Sequence, residues 1–495
     1  MVSSKEKESV SSDQGLSSSL EVSSDLSSEK GSSGSSSVVI SPDAGIQVLS
    51  LDSENEKIAL SYSGTKLTKA YYQCGAEAEV EIDSNLITDD TIYVPGLKEG
   101  TYQLRLVLED NKEETISSIA VSAVDRSGYA HFSLGSTTTY GAYNLDGTLR
   151  SDAVVVYVSD SNKNTVTATI GSHSYTGLVD ILNHKNDASI PVDVRLLDRI
   201  KTNQWKSKSL SSGINEPYLD DISYFYNEKE TTYTELDGLT NTIWAPSTID
   251  SKKATASGIT NVRTVTSSKD TDSYFNMADV KNVSNLTVEG IGIDAGTLNW
   301  GFTFKDCKSI EARNLIFEDY AEDACSFEGS DNNDVTKADG FFLHHNTFKR
   351  GKNNWDLSQE QDKHDGDGSA DLKKCQNVTF AYNYFYDTHK TGLIGGSDSH
   401  YTKNVTSHHN FYELVNARLP LGRRVNLHTY NNYYLNCTTC TDMRASSYTL
   451  SEANYFEKCT YPHKVSSNAV IKSYQDTFDQ CKKTSQATIV TSRTQ

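Results

Sequence analysis

One short pattern recurs through the second half of the chain: a strand-like run, an asparagine, and then two or three aromatic or aliphatic residues. It occurs in the segments EARNLIF, LHHNTF, FAYNYFY, SHHNFYEL, TYNNYYL and SEANYF. The asparagines of the pattern are Asn314, Asn346, Asn383, Asn410, Asn432 and Asn454, with successive spacings of 32, 37, 27, 22 and 22 residues. A base period of 22 with early insertions indicates an internal repeat, and a repeat restricts the fold more than any other feature of this sequence.

A period near 22 in β-rich segments, with little helical periodicity, predicts a parallel β-helix in which each coil stacks on the one before it. Stacked strands lie about 4.8 Å apart, so a residue type that recurs at one phase forms a ladder. Cys437, Cys459 and Cys481 recur at intervals of 22 residues. We interpret them as an interior stack of small apolar groups, with a bridge between neighbouring coils as the alternative. Cys437 and Cys440 form a C-x-x-C without a second pair, which does not favour zinc.

Composition changes along the chain and divides it into three parts. Seventeen of the first 37 residues are serine, and such a segment cannot bury enough apolar surface to fold. We predict a Ser-rich linker over residues 1–40, a small β-sandwich over residues 41–124 and the parallel β-helix over residues 125–495. The sandwich prediction depends on short alternating runs such as KIALSYS and TYQLRLVLED. The segment YVPGLKEGTYQLRLVLED also resembles part of fibronectin type III modules.

Charge and compartment limit the possible partners. The formal net charge of −20 argues against a sequence-independent nucleic-acid binder, because that role needs a surface rich in Lys and Arg. The sequence has no apolar run long enough to span a bilayer. A Ser-rich spacer is typical of a secreted or surface-tethered enzyme, so we expect that location, with the export signal outside this chain. We also expect a monomer. The eight cysteines fit an oxidising compartment without requiring one.

Acidic candidates for a metal site precede and include the motif DGSAD. Asp367 and Asp371 lie four residues apart beside Gly368, which allows a tight turn that presents two carboxylates. Carboxylate oxygens are hard ligands and suit Ca²⁺. Asp323 lies nine residues after Asn314 in the repeat, and we expect it on the same face of the β-helix.

Cationic candidates follow the acids. Lys390 lies seven residues after one repeat asparagine and Arg418 lies eight after the next, so we expect them on consecutive coils, roughly one strand spacing apart. Arg423 follows in the segment RLPLGR, which Pro420 stiffens. Like charges at that distance repel, and a bound polyanion would compensate for the repulsion. Carboxylates beside fixed cations therefore indicate an anionic substrate bridged through a metal ion.

Taken in order, these motifs resemble the pectate lyase family, with a likeness that runs roughly from residue 125 to the end of the chain. Its specific parts are DGSAD, VTFAYNYFYDTHKTGLIG and RLPLGR, the last fitting the family's R-x-P-x-x-R. The resemblance implies an all-β fold with a right-handed parallel β-helix. It also implies calcium-dependent cleavage of polygalacturonate (pectate, low-esterified pectin) by β-elimination.

The resemblance assigns roles to individual residues. The Ca²⁺ ligands that it implies are Asp323, Asp367 and Asp371, with Glu322 as an adjacent candidate of lower weight. It implies that Lys390 binds substrate, that Arg418 abstracts the proton, and that Arg423 holds a substrate carboxylate. Because a guanidinium is normally protonated, the base role needs neighbouring cations and predicts activity at alkaline pH. One departure is His344, which stands where the family has Asp in W-I-D-H.

Three other functions are compatible with a β-helix. A polygalacturonase would need paired carboxylates without the cationic pair, and RLPLGR weighs against it. A pectin lyase acting on methyl-esterified substrate would not need three calcium-liganding acids. A non-catalytic adhesin would not need Asp367, Asp371, Lys390 and Arg418 together.

Overall fold

The computed structural model describes residues 39–40, 45–134, 137–201, 242–245, 261–264, 277–298, 300–320, 323–349 and 368–493. No helix in these ranges combines the length and the apolar character that crossing a membrane would require. The longer of its folded parts is a stack of parallel strands, which confirms the predicted parallel β-helix.

Three parallel sheets, of eleven, nine and eight strands, build the β-helix in the described ranges. Sheet A comprises Val154–Val158, Val192–Leu196, Ser284–Gly290, Lys308–Arg313, Asp339–His344, Gln376–Ala381, Thr402–His408, Val425–Tyr430, Tyr448–Glu452, Val470–Tyr474 and Thr488–Ile489. Sheet B comprises Arg199–Lys201, Gly296–Leu298, Ile316–Glu318, Thr347–Lys349, Tyr384–Tyr386, Phe411–Glu413, Tyr433–Leu435, Tyr455–Glu457 and Thr477–Asp479. Sheet C comprises Met277–Lys281, Gly301–Lys305, Cys325–Glu328, Leu372–Lys373, Leu393–Ile394, Leu421–Arg423, Thr439–Arg444 and Tyr461–Val465.

An asparagine ladder lies between sheets A and B and keeps the coils in register. In each step, the backbone N–H and the side-chain Nδ2 of one asparagine donate to the side-chain oxygen of the next. Asn410 makes this pair of bonds to Asn432 at 2.9 and 3.0 Å. The ladder consists of Asn346, Asn383, Asn410, Asn432, Asn454 and finally Asp476. Buried amides need such partners, which explains why the repeat retains asparagine.

Asn314, the first asparagine of the sequence repeat, lies one residue before the ladder position. Leu315 occupies the ladder position in its coil, because the backbone N–H of Leu315 donates to Asn346 Oδ1 at 2.9 Å. Asn314 instead has a φ of 53°, the left-handed turn conformation that His345 adopts in the next coil. Asparagine is one of the few residues that tolerate this conformation, so the same residue type serves two adjacent positions.

The interior beside the ladder is a column of stacked rings from sheet B. Neighbouring ring centroids lie 4.8 Å apart for Phe385 and Tyr412, and again for Tyr412 and Tyr434. The column comprises Phe317, Phe348, Phe385, Tyr412, Tyr434, Phe456 and Phe478. Cys437 and Cys459 are buried nearby as predicted, and all eight cysteines are free thiols. Cys437 and Cys459 therefore lie in the interior as predicted, Cys481 is only partly buried against the same core, and none of the three is bridged in this structure.

Two antiparallel sheets precede the β-helix and pack as a sandwich around a separate apolar core. One consists of Val39–Ile40, Glu113–Val121, Gly100–Leu108, Leu67–Cys74 and Val80–Glu81, and the other of Ile46–Asp52, Lys57–Gly64 and Thr91–Pro95. Sequence patterning missed the strand Leu67–Cys74, where polar and apolar residues do not alternate cleanly. The resemblance to fibronectin type III modules and the domain boundaries at residues 40 and 124 remain predictions.

The sandwich core continues onto the β-helix. Ile291 is buried within the apolar cluster of the sandwich, and Tyr157 and Leu197 pack against that cluster. The hydroxyl of Tyr93 in the sandwich accepts a hydrogen bond from Asn314 Nδ2 at 2.9 Å. The two folds are therefore joined by shared apolar burial and by at least one polar contact.

Shorter elements complete the described structure. They are the α-helix Leu178–Leu182, the 3-10 turns Ser84–Leu86, Tyr129–Leu134, Lys185–Asp187 and Val335–Lys337, the hairpins Thr139–Tyr140 with Tyr143–Asn144 and Thr167–Ile170 with His173–Thr176, and the parallel pair Thr242–Ala245 with Asn261–Thr264. The α-helix buries Leu178, Ile181 and Leu182 in the core of the β-helix. The runs VVVYV and VDVRL form the first two strands of sheet A.

Candidate active site

Residues along sheet C carry most of the predicted site. Asp323 precedes the strand Cys325–Glu328, and Asp371 precedes the strand of the next coil, Leu372–Lys373. Two of the predicted calcium residues, Asp367 and Glu322, lie outside the described residues. The predicted cations lie on the coils that follow. The acids and the cations are therefore at different positions along the axis of the β-helix.

Asp323 and Asp371 converge although they are 48 positions apart in the sequence. A Cβ placed on Gly368 would lie 2.6 Å from the Oδ1 atom of each, so both oxygens face one small space that glycine leaves open. Ser326 Oγ donates to Asp323 Oδ2 at 2.7 Å, and the N–H of Leu393 donates to Asp371 Oδ1 at 2.9 Å. Both carboxylates are buried, and these bonds hold them in place.

The acid pair carries more negative charge than its surroundings fully neutralise. Burial first, and then the charge of Asp323, raise the pKa of Asp371 well above its ordinary value. Lys373 opposes this effect with its Nζ 3.8 Å from Asp323 Oδ2 and 3.9 Å from Asp371 Oδ2, and its closest ion pair is with Glu328 at 2.7 Å. Two buried carboxylates with converging oxygens are the donor set that Ca²⁺ prefers. The described acids therefore fit the predicted ion.

A pocket of about 280 Å³ collects cations on the next coils. Its lining includes all three predicted cations, Lys390, Arg418 and Arg423. Lys390 pairs with Ala417, the neighbour of Arg418, which places the two side chains on consecutive coils as expected. The same pocket includes Arg444 and Lys464, which sequence reasoning missed.

Strand register explains the two missed cations. Arg444 is the parallel partner of Arg423 in sheet C, and Lys464 is the partner of Asp442 in the next pair of strands. A search at the 22-residue period starting from Arg423 would have found Arg444 within one residue. Lys464 lies outside all of the motifs named above, so the motifs gave no indication of it.

The backbone at Arg418 differs from that of its neighbours on the adjacent coils. Its φ is 66°, whereas Thr391 and Thr439, which align with it on the adjacent coils, are not among the residues with positive φ. Its carbonyl oxygen accepts a 2.7 Å hydrogen bond from the N–H of Gly392. Positive φ also occurs at other non-glycine residues of this β-helix, such as Tyr382 and Leu414, so the conformation by itself does not mark a functional position. The half-buried Arg418 side chain lines the cationic pocket.

Arg423 contacts acceptor groups and lies near another positive charge. Its Nη1 donates to the carbonyl oxygen of Gly395 at 3.0 Å, and its Nε lies 3.2 Å from Asp398 Oδ1. Burial first, and then the charge of Arg444, lower the pKa of Arg423 from its ordinary value. Arg444 is paired with Asp442 at 2.6 Å. The pocket therefore holds several positive charges close together, and two of them are paired with carboxylates.

His344 lies away from this pocket, in sheet A under the sandwich. It is buried, stacks on Phe342 at 3.9 Å between centroids, and has its Nε2 3.1 Å from Glu311 Oε1. Burial lowers its pKa well below the ordinary value. The substitution of His for the family's Asp therefore affects packing beneath the sandwich and leaves the pocket unchanged.

A family model described as pectate lyase matches residues 231–493, more than half of the chain. The chain belongs to the pectate lyase family. Curated relatives include pectate lyase C of Dickeya chrysanthemi, 32% identical over 177 residues that cover 35% of this chain and 45% of that protein. The pectate trisaccharide-lyase of Bacillus licheniformis is 34% identical over 161 residues, covering 32% of this chain and 43% of that protein. The chain spans less than half the length of these relatives.

Solved structures of pectate lyases are also similar to this family member. The pectate lyase of Bacillus sp. N165 in complex with trigalacturonate covers 72% of this chain and 87% of its own, with 16% identity and a TM-score of 0.43. Pectate lyase C of Erwinia chrysanthemi, studied at pH 9.5 with 30 mM Ca²⁺, covers 72% and 80%, with 19% identity and a TM-score of 0.39.

Proposed function

We propose that this pectate lyase family member is a calcium-dependent pectate lyase, which cleaves α-1,4-linked polygalacturonate by β-elimination and releases unsaturated oligogalacturonides. The observation that carries the proposal is the cationic pocket on the coils next to the buried acid pair. Such a pocket suits a chain of carboxylates, one on every sugar. Action outside the cell and a monomeric state accompany the proposal as expectations.

Binding depends on the cations of the pocket. Arg423 would hold a substrate carboxylate through two parallel N–H donors, the geometry in which guanidinium and carboxylate match best. Lys390, which lies mostly below the surface, contributes a compact charge beside it. Arg444 and Lys464 extend the positive surface along the axis, one and two coils further on. Repulsion among these side chains decreases when an anion occupies the pocket, which favours a polyanionic ligand.

The reaction would begin when Arg418 takes the proton from C5 of the sugar. The electron pair of that C–H bond becomes the C4–C5 double bond, the bond from C4 to the bridging oxygen breaks, and the departing oxygen takes a proton from solvent. Ca²⁺ held by Asp323 and Asp371, and by Asp367 as the resemblance implies, would supply Lewis-acid stabilisation of the charge on the C6 carboxylate. Lys390 and Arg423 stabilise the same charge by electrostatic contact.

A polygalacturonase is the second candidate, because Asp323 and Asp371 are paired carboxylates. These two acids share one buried space, however, whereas an inverting hydrolase separates its carboxyl groups by roughly 6.5–9.5 Å to admit a water. The reaction product separates the two candidates. Incubation with polygalacturonate should increase the ultraviolet absorbance of an unsaturated product, in step with new reducing ends. New reducing ends without absorbance would identify a hydrolase and reject the proposal.

A further inference from the structure

A second group of metal-ligand side chains lies on sheet A, away from the cationic pocket. Among the described residues, one set of three His, Cys, Asp or Glu has ligand atoms all within 4.8 Å of one another: Asp125, His408 and His409. Asp125 follows the last strand of the sandwich, and His408 ends the strand Thr402–His408. The set therefore connects the segment leaving the sandwich to a coil of the β-helix.

Both imidazole rings are fixed by stacking. His409 stacks on Tyr382 with centroids 4.7 Å apart and planes at 4°, and His408 stacks on Tyr430 at 4.8 Å and 3°. Their Nδ1 atoms share a hydrogen bond of 2.9 Å, which an ion bound by both rings would replace. The left-handed backbone of His409, with a φ of 52°, turns its ring toward that of His408. Ligands held in this way lose little freedom when they bind an ion.

A neighbouring carbonyl group orients the ring of His408 in the way that a metal-bound histidine needs. His408 Nε2 lies 3.2 Å from the carbonyl oxygen of Ser127, which only accepts, so Nε2 carries the proton and Nδ1 of the neutral ring presents a lone pair. Metal-ligating histidines commonly donate their other N–H to a backbone carbonyl in this manner. Asp125 Oδ2 lies 4.0 Å from His408 Nδ1 and accepts a hydrogen bond from Tyr382 OH at 3.0 Å.

The β-helix contains an internal comparison. His344 and His345 occupy the same positions two coils earlier, and their Nδ1 atoms lie 2.8 Å apart. There, His344 Nε2 faces Glu311 Oε1 at 3.1 Å, and no carboxylate in the described ranges joins the two Nδ1 atoms in a group. Asp125 is therefore what distinguishes the second histidine pair from a purely structural one.

We propose that Asp125, His408 and His409 form a binding site for a divalent transition metal of the zinc class, separate from the predicted calcium site. Two imidazole nitrogens and one carboxylate oxygen suit Zn²⁺, Co²⁺ or Ni²⁺, whereas Ca²⁺ takes oxygen ligands almost exclusively. His409 and Asp125 are half-buried, so solvent can complete the coordination. A bound ion would tie the segment that leaves the sandwich to sheet A. This site is independent of the proposed lyase activity.

The test is zinc titration of the full chain by calorimetry, after chelator treatment and desalting, in buffer that contains excess Ca²⁺. We expect one zinc site, and we expect Asp125→Asn and His409→Gln each to raise its Kd by roughly tenfold or more. Substitution of Co²⁺ should give a visible absorption band that both variants weaken.

His173→Gln is the matched control, because His173 is an exposed histidine 2.7 Å from a carboxylate of Asp187 but belongs to no group of three such ligands among the described residues. It should leave the zinc affinity unchanged. Circular dichroism of the metal-free proteins reports whether each variant folds, and the two half-buried positions give two independent chances of a folded variant. Equal zinc affinity in wild type and in a folded variant, or displacement of zinc by excess Ca²⁺, would overturn the proposal.

Discussion

The acid pair and the cationic pocket along sheet C, which we call the acid end and the cationic end, have opposite electrostatic character. At the acid end, Asp323 and Asp371 are buried, fixed by hydrogen bonds from within the protein, and partly compensated by Lys373. At the cationic end, Arg423 and Arg444 are partners on neighbouring strands, and each is paired with one carboxylate. The charge and oxygen donors of the acid end suit a small cation, whereas the positive charges of the cationic end suit an extended anion. The difference indicates that a substrate would be held between the two, and variants at each end should fail in different ways.

Removal of calcium should have the largest effect, because it affects the acid end as a whole. Excess chelator should abolish the formation of unsaturated product from polygalacturonate, and added Ca²⁺ should restore it. The measurement is the initial rate of ultraviolet absorbance increase. Full activity in chelator, or restoration by zinc and not by calcium, would show that the acid end does not serve a catalytic calcium ion.

Arg418→Lys should be the most severe single substitution at the cationic end. It keeps a positive charge but moves the basic nitrogen and removes the planar fork. A positioned general base contributes about 10²- to 10⁴-fold, so we expect kcat to fall by that factor with little change in KM. Steady-state kinetics across alkaline pH provide the check. A raised KM with near-native kcat would transfer the base role to Lys390.

Arg423→Lys should weaken binding more than turnover, because its proposed task is to hold a carboxylate with two parallel donors. The loss of one charge-assisted hydrogen bond, about 1.5 kcal/mol, corresponds to roughly a tenfold increase in KM. The control is Lys458→Gln, which removes an exposed cation that pairs with Glu457 outside the pocket. If Arg423→Lys and the control behave alike, Arg423 does not hold substrate.

Arg444→Gln should have the smallest effect. Its side chain is 36% exposed and already paired with Asp442, and such a charge contributes about 0.2–1 kcal/mol. We expect KM to increase by up to about fivefold on long polygalacturonate, and less on a short oligomer that does not reach this coil. An equal increase on both substrates would mean that Arg444 acts on the reacting sugar rather than on an extension of the cleft.

Residues that repeat along the sequence predicted the fold. Only residues that match a motif predicted the site. The asparagines of the ladder recur because each side-chain amide is hydrogen-bonded to the amide of the next coil, as at Asn383, Asn410 and Asn432. Their period therefore indicated the coils. Arg444 and Lys464 belong to no motif, and the strand register is what places them beside the pocket. The meeting of Asp323 with Asp371 depends on coil lengths, which vary with each insertion.

Two mismatches between sequence pattern and structure have physical causes as well. Asn314 fits the sequence repeat without belonging to the ladder, since left-handed turns also favour asparagine. The strand Leu67–Cys74 escaped because Lys69 and Gln73 interrupt its alternation of polar and apolar residues, while its pairing partner lies far along the chain. A local sequence pattern does not show a strand whose pairing partner lies far away in the sequence.

The asparagine ladder has a direction, and this has a consequence for how the molecule opens. Each amide donates toward the C-terminal end and accepts from the preceding coil, from Asn346 through to Asp476. An inner coil cannot open without leaving donors of one neighbour and acceptors of the other unpaired, whereas a terminal coil breaks only one step. Amide hydrogen exchange should therefore be slowest at Asn410 and Asn432 and become faster toward the coil of Asp476.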